Sequence, residues 1–218
     1  MILGVIPVAG KGSRWGGYYK ELLPCGKGEW LLDRTIKAMK IGGAHRICVV
    51  TSQEKIATHV AHITEKYDDV FYVIQKGTND IYSAMEASFP YAGSINYFAM
   101  PDTYFDKFAF TAPSFTANEF YLGTFYTDKP ERFGTIRGER VLNKRPSPST
   151  EKGKFYEAWG AMVWSDKVSR LWKNSSPSNY TDAINSAMQF FGYTTFPLHD
   201  YKDMATWDDY TEFIKDRF

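Results

Sequence analysis

The sequence predicts an α/β fold with a mainly parallel sheet. The first observation is an alternation: through residues 1–100, apolar runs of strand length take turns with amphipathic stretches of helical period. The second is where the polar and glycine-bearing stretches fall. Residues 10–14, residues 75–78 and Asp102 each follow an apolar run, the edge at which open α/β sheets gather their ligands. The third is size: 218 residues, 44% of them hydrophobic and 23% charged, suffice for one substantial core.

The elements follow in order. Residues 2–9 (ILGVIPVA) form a continuous apolar run and predict a buried strand. Residues 10–19 carry four glycines and predict a loop. Residues 31–41 predict a helix, because Leu32, Ile36 and Met39 share a face and Gly42-Gly43 ends it. Residues 46–51 (RICVVT) give a second strand. Residues 54–67 give a helix with Ile56, Val60, Ile63 and Tyr67 on one side. A strand at 70–75, a short helix at 80–89 and a strand at 96–100 complete the first half, and the crossovers between strands should be right-handed.

The second half is less regular. Residues 119–125, 133–136 and 140–143 predict short strands, with Arg137-Gly138-Glu139 as a turn. The polar, Pro/Ser-rich stretch 144–154 predicts a loop. Residues 155–164 predict a long aromatic strand, 180–191 a helix and 194–201 a last strand. Thr206 with Asp209 three residues on predicts a capping box opening a terminal helix over 207–218.

Composition excludes several function classes. A net charge of +1 provides no strong field for nucleic acid or an anionic membrane. No apolar run approaches membrane-span length, and the first residues read as a strand, not a secretion signal. A cytoplasmic enzyme is the expectation. Cys25 and Cys48 have neither CxxC nor zinc spacing, so nothing requires a disulfide. Aromatic residues reach 17%, six of them Trp; most are expected in the core, with some free to line a base or sugar pocket. His59 and His62 stand at i, i+3 on a helix. Without a third ligand, a solvated face is the expectation.

The chemistry-bearing stretch is Gly10-Lys11-Gly12-Ser13-Arg14 after the first strand. Glycines let backbone N–H groups approach an anion, and a guanidinium such as that of Arg14 grips phosphate oxygens in pairs. Lys20 adds a point charge further on. The loop is not a Walker A sequence, and Trp15 occupies the third glycine of the dinucleotide pattern G-x-G-x-x-G. On spacing alone, an anion cradle and a glycine-rich turn with solvated cations both stand.

Residues 4–24, GVIPVAGKGSRWGGYYKELLP, resemble the signature of sugar-1-phosphate nucleotidyltransferases. That signature is a Gly-x-Gly-[Thr/Ser]-Arg loop followed by Pro-Lys-[Glu/Gln]-Leu-Leu-Pro; glucose-1-phosphate thymidylyl- and uridylyltransferases are members. Here the stretch between Arg14 and Lys20 is short, and Tyr19 replaces the proline before the lysine. The resemblance implies a nucleotide-diphospho-sugar transferase (GT-A-like) fold: a three-layer α/β/α sandwich with a mainly parallel mixed sheet. It implies one nucleotidyltransferase domain over 1–218, with a nucleotide-binding half (1–104) and an acceptor-binding half (105–218). It further implies that Ala9, Gly10, Gly12, Ser13 and Arg14 hold the nucleotide. Arg14 would neutralise the triphosphate, Lys20 would hold phosphate at the reacting centre, and Asp102 would complete the catalytic set.

Asp102 and Asp203 each follow a predicted strand. By themselves both fit turns or helix caps; together they fit a Mg²⁺ ion that also takes phosphate oxygens. The resemblance extends to Pro101-Asp102-Thr103 and to Asp203-Met204-Ala205-Thr206, with Ala205 in place of the family's glycine, and implies the metal role for both aspartates. It also implies that Gln75, Gly77 and Thr78 meet the base. Residues 78–83 are similar to phosphocholine cytidylyltransferases, so dTTP, UTP and CTP all stay open. On the acceptor side the resemblance points to Gly134, to Lys144 or Arg145 in a segment similar to Glu-Lys-Pro, and to a wall at Trp159-Gly160. The glutamate of that motif is missing.

The implied function is a Mg²⁺-dependent transferase that joins a nucleoside triphosphate and a sugar-1-phosphate, with no nucleic-acid or membrane partner. A homodimer is compatible with the sequence. Two alternatives stand beside it: a cytidylyltransferase for a non-sugar phosphate such as phosphocholine, and a catalytically silent nucleotide-binding domain. A glycosyltransferase would carry Asp-x-Asp where this chain has Asp102-Thr103-Tyr104.

Overall fold

The computed structural model describes residues 1–12, 15–26, 28–77, 80–111, 114–116, 118–143 and 154–215. The strands are β1 (Ile2–Pro7), β2 (Pro24–Gly26), β3 (Glu29–Trp30), β4 (Arg46–Thr51), β5 (Val70–Ile74), β6 (Ile95–Ala99), β7 (Thr103–Tyr104), β8 (Tyr121–Thr127), β9 (Thr135–Arg137), β10 (Arg140–Leu142), β11 (Tyr156–Ser165), β12 (Thr194–Pro197) and β13 (Lys202–Asp203). The helices are α1 (Leu31–Ile41), α2 (Ile56–Ile63), α3 (Ile81–Ser88), α4 (Asp166–Ser175), α5 (Tyr180–Phe191) and α6 (Trp207–Lys215).

Among the described residues, nine strands join one sheet. Its first half is parallel: β6, β1, β4 and β5 run side by side in one direction. The long β11 then pairs antiparallel with β6 on one edge and with β8 on the other, and β12 adds to β8 in parallel. The sheet is therefore mixed, as expected, and β11 is the strand that mixes it.

Strand alternation sorts the core into two layers. Leu3, Val5, Cys48, Val50, Phe98, Met162 and Trp164 face a cluster completed by α3, α4 and α5 through Met85, Trp172 and Ile184. Ile6, Ile47, Val49, Tyr97, Ala161 and Val163 face the opposite cluster, completed by Leu32, Ile36 and Met39 of α1 and Ile63 of α2. Helices on both faces of a mixed sheet make the three-layer α/β/α sandwich. Gly4 lets α1 sit close on β1, since a Cβ there would lie 2.7 Å from Met39 Sδ and 2.5 Å from Ile47 Cδ1.

Several elements depart from expectation. Helix α4 was not predicted. It buries a narrow stripe, Val168, Ser169 and Trp172, and its remaining surface reads as a polar loop. The strand expected over 194–201 ends at Pro197, and β13 pairs with β7, Asp203 opposite Thr103. Helix α2 begins after Lys55, not at Glu54. The expected solvated histidine face is overturned: His59 is fully buried, and His62 Nε2 lies 3.3 Å from Asp33. The predicted capping box is present, with Thr206 Oγ1 donating to Asp209 at 2.6 Å and Asp209 N donating back at 3.2 Å. Both cysteines are free and buried. Among the described residues, no helix is long and apolar enough to cross a membrane.

Candidate functional site

A cleft of about 330 Å³ opens over the carboxyl ends of β1, β5 and β6. Its walls include Ala9, Gly10, Gly12, Lys20, Gln75, Asp102, Gly134, Trp159, Gly160 and Asp203. Each of these was singled out in the sequence, and the topology brings them together from segments as far apart as residues 9 and 203. Gly77 is exposed and does not line the cleft. Ser13, Arg14, Thr78, Lys144 and Arg145 lie outside the described residues.

The glycine loop leaves β1 directly. Among the described residues, a Cβ on Gly10 would meet nothing within 4 Å, whereas it would meet a ligand approaching the backbone. Gly12 has φ +60, and a Cβ there would sit 2.5 Å from the Tyr18 carbonyl oxygen. Trp15 explains the missing third glycine. It is buried, its indole N–H donates to Ala205 O at 3.0 Å, and it packs on Trp207 at 4.2 Å. The loop is thus pinned to the segment that carries Asp203.

Two of the carboxylates that line the cleft, Asp102 and Asp203, each meet a cation. Lys20 Nζ lies 2.5 Å from Asp102 Oδ2. Arg132 Nη2 donates to Asp203 Oδ2 at 2.7 Å, while Arg132 also grips Asp209 with both nitrogens, at 2.9 and 2.8 Å. Register places Asp203 beside Asp102: Asp203 pairs with Thr103, and Met204 N donates to Asp102 O at 3.2 Å. Burial pushes the Asp203 carboxyl above its ordinary value, and the Asp102 charge pushes it further; Arg132 only partly offsets them. Asp209 is also pushed up by burial, but its bonds from Arg132 and Thr206 win and hold it at about 2.

This donor set fits a magnesium ion. The Asp102 charge beside the buried Asp203 carboxyl calls for a cation, and Mg²⁺ ordinarily takes one or two carboxylates with phosphate oxygens and water. Among the described residues no group of three or more His, Cys, Asp and Glu gathers to cage a metal, so such an ion would need ligands from the nucleotide.

At the β5 end of the cleft, Gln75 extends the strand, and its amide nitrogen donates to Asp80 O at 3.0 Å and to Ser83 Oγ. Asp80 caps α3 by accepting from Ser83 N at 2.7 Å. At the other end the wall is aromatic, from Phe133, Trp159, Tyr180 and Tyr201. Among the described residues, the buried Trp159 Nε1–H has no hydrogen-bond partner, and a Cβ on Gly134 would lie 2.4 Å from it. Gly160 packs against Tyr201, where a Cβ would sit 2.4 Å from the ring.

Sequence reasoning missed Arg132, Asp209, Tyr201 and the buried trio Glu21, Lys55 and His59. Arg132 adjoins the Phe133-Gly134 segment, yet its partner Asp209 is 77 residues away, and no local pattern links them. Glu21 lies inside the Lys-Glu-Leu-Leu-Pro signature, whose charged residues gave no hint of burial.

No family model matches the chain, and no curated protein matches its sequence. Solved structures do match. A protein from Bacillus anthracis assigned as a glucose-1-phosphate thymidylyltransferase, solved with a sucrose, superposes with TM-score 0.81 at 20% identity, over 98% of this chain and 94% of that one. A UDP-glucose pyrophosphorylase complexed with UDP-glucose gives TM-score 0.79 at 16% identity, over 99% and 98%. The inositol-1-phosphate CTP transferase from T. maritima gives 0.72 at 16% identity, over 98% and 94%. The likeness establishes the fold: this chain has the nucleotide-diphospho-sugar transferase fold of those proteins.

Proposed function

We propose that this chain is a Mg²⁺-dependent nucleotidyltransferase that joins a nucleoside triphosphate to a sugar-1-phosphate. The observation that carries the reading is the convergence of Lys20, Asp102, Asp203 and Arg132 beside the glycine loop, in one cleft with an aromatic far end. A cleft so charged suits a reaction whose main demand is to hold and neutralise phosphates. The structural relatives are named for nucleotidyl transfer to phosphorylated small molecules, which supports the class.

In this reading residues 1–104 hold the nucleotide and residues 105–218 the acceptor. Ala9, Gly10 and Gly12 offer backbone to the triphosphate, with Ser13 and Arg14 beside them. Lys20 leaves Asp102 to meet phosphate at the reacting centre. Asp102 and Asp203 would hold Mg²⁺, which supplies charge neutralisation at the α-phosphate. An oxygen of the acceptor phosphate attacks the α-phosphorus; the bond from that phosphorus to the α–β bridging oxygen breaks, and pyrophosphate leaves. The protein positions and stabilises, with no covalent intermediate. Gln75 stands on the base side, and Gly77 and Thr78 follow it in the chain. Gly134, Trp159 and Gly160 stand on the acceptor side with Lys144 or Arg145, and the Trp159 indole N–H is there to meet an acceptor oxygen. The cytoplasm, where triphosphates are made, is the fitting compartment.

The test is pyrophosphate release with dTTP, UTP and CTP, each crossed with glucose 1-phosphate, inositol 1-phosphate and phosphocholine. Turnover is expected with a sugar phosphate and Mg²⁺, and lost on chelation. Turnover confined to CTP and phosphocholine would replace the sugar reading. Nucleotide binding without turnover in any pair would replace the enzyme.

A further inference from the structure

Beneath the cleft lies a set of charges that the proposed reaction does not use. Glu21, Lys55 and His59 are 4%, 5% and 0% exposed. Lys55 Nζ donates to Glu21 Oε1 at 2.9 Å and to the Val8 carbonyl at 3.0 Å. His59 Nε2 meets the same Glu21 oxygen at 2.9 Å, and its Nδ1 meets Thr51 Oγ1 at 2.8 Å. The Lys55 ammonium also lies 4.7 Å from the centre of the Tyr19 ring. Burying an ion pair costs desolvation that its mutual attraction only partly returns, so such pairs are weak devices for stability. They are effective for fixing one arrangement among several.

The arrangement fixed here is specific. Val8 lies just past β1, two residues before Gly10 of the glycine loop, and Glu21 follows Lys20 in the turn that ends that loop. A single ammonium therefore bonds both ends of residues 9–20. The anchors on its other side are rigid, because Lys55 opens α2 and His59, one turn on, ties that helix to the end of β4 through Thr51. We propose that Lys55, with Glu21 and His59, is a positioning clamp. It closes the base of the phosphate loop and fixes the backbone from which Lys20 reaches the reacting centre. Lys55 touches no phosphate; it acts through the loop and Lys20. Its kinetic consequence rests on the nucleotidyltransferase reading, while its mechanical consequence does not.

Two measurements on the intact chain test the clamp. The first needs no substrate: hydrogen–deuterium exchange of residues 9–20 in Lys55→Met, which keeps the chain length and removes the charge. Exchange there is expected to quicken at least tenfold, with β4 and β6 unchanged. The second is a double-mutant cycle with Lys20→Met. Lys55→Met alone should lower kcat about ten- to a hundredfold with little change in the KM of the triphosphate. In the Lys20→Met background the same change should do almost nothing. Should Lys55→Met fail to fold, Glu21→Gln, nearly isosteric, is read in its place. Unchanged loop exchange in a folded variant overturns the clamp, and so do effects of the two lysines that simply multiply. A wild type that turns over no substrate pair defeats the functional reading instead, and leaves the exchange measurement to decide the clamp by itself.

Discussion

Asp203 sits in a conflict of charges. Burial and the neighbouring Asp102 both favour its protonated form, and Arg132 resists them. Arg132 can do so because Asp209 holds it from behind with two parallel bonds, a geometry in which a guanidinium loses little freedom. A bound cation would resolve the same conflict, so Asp203→Asn and Asp102→Asn are each expected to cut turnover at least about a hundredfold with the fold intact by circular dichroism. Near-normal turnover in either would remove that aspartate from the metal role. Glu21 tests the chemistry underneath. Burial pushes its carboxyl up, but His59 and Lys55 outweigh burial and leave it below the ordinary value of 4.5. A lowered carboxyl contributes its stability in full above the unfolded value and loses it as pH falls through the folded one. The melting-temperature gap between wild type and Glu21→Gln should therefore be widest near neutrality and narrow below about pH 4.5; a gap that stays constant down to about pH 3 would show the pair contributes nothing through its charge. At this scale the sequence was informative wherever a residue sits in a local motif, as Lys20, Asp102 and Asp203 do. It was silent on Arg132 and Lys55, whose partners lie 77 and 34 residues away.

Among the elements, β11 brings Trp159 and Gly160 to the site. It is the long aromatic strand that the sequence predicts, because its run is apolar and aromatic from Ala158 to Trp164. What the run does not reveal is the irregularity between Trp159 and Ala161, where pairing with β8 shifts register and Gly160 brings the strand against Tyr201. Tyr201 has no room to withdraw: it stacks on Phe125 at 3.7 Å and 13°. Gly160→Ala places a methyl 2.4 Å from that ring, and overpacking of this kind costs about 1–3 kcal/mol. For a chain of this size that is a drop of roughly 2–12 °C in melting temperature, read by differential scanning calorimetry; an unchanged melt would mean the ring yields freely. Helix α4 escaped prediction for the opposite reason. Val168, Leu171 and Trp172 fall within a single turn of a helix whose other positions are polar, and three apolar residues in one turn are too few to fix a period. The strand expected over 194–201 overran β12, since its end at Pro197 is set by where pairing with β8 stops.

Across the whole molecule, the alternation of strand and helix was enough to give the α/β class, because burial on both faces writes itself into continuous apolar runs. The mixed half was not, because antiparallel pairing of β11 with both β6 and β8 depends on partners remote in sequence. That pairing is nevertheless what makes the cleft. It returns the chain beside β6, so that β13 lies against β7 and Asp203 comes beside Asp102 from a hundred residues away. The two halves thus contribute one carboxylate each, and Trp15 ties the first half's loop to Ala205 in the second. A ligand that bridges both carboxylates should consequently stabilise the entire chain and not one lobe. At a hundred times its dissociation constant a ligand adds about 2.7 kcal/mol, or roughly 5–11 °C here. The preferred triphosphate with Mg²⁺ is expected to raise the single melting transition by that amount. The triphosphate with EDTA should raise it much less, and Asp203→Asn should lose the difference between the two. Equal shifts with and without the metal would mean that the loop holds the nucleotide unaided and that the paired aspartates serve another purpose.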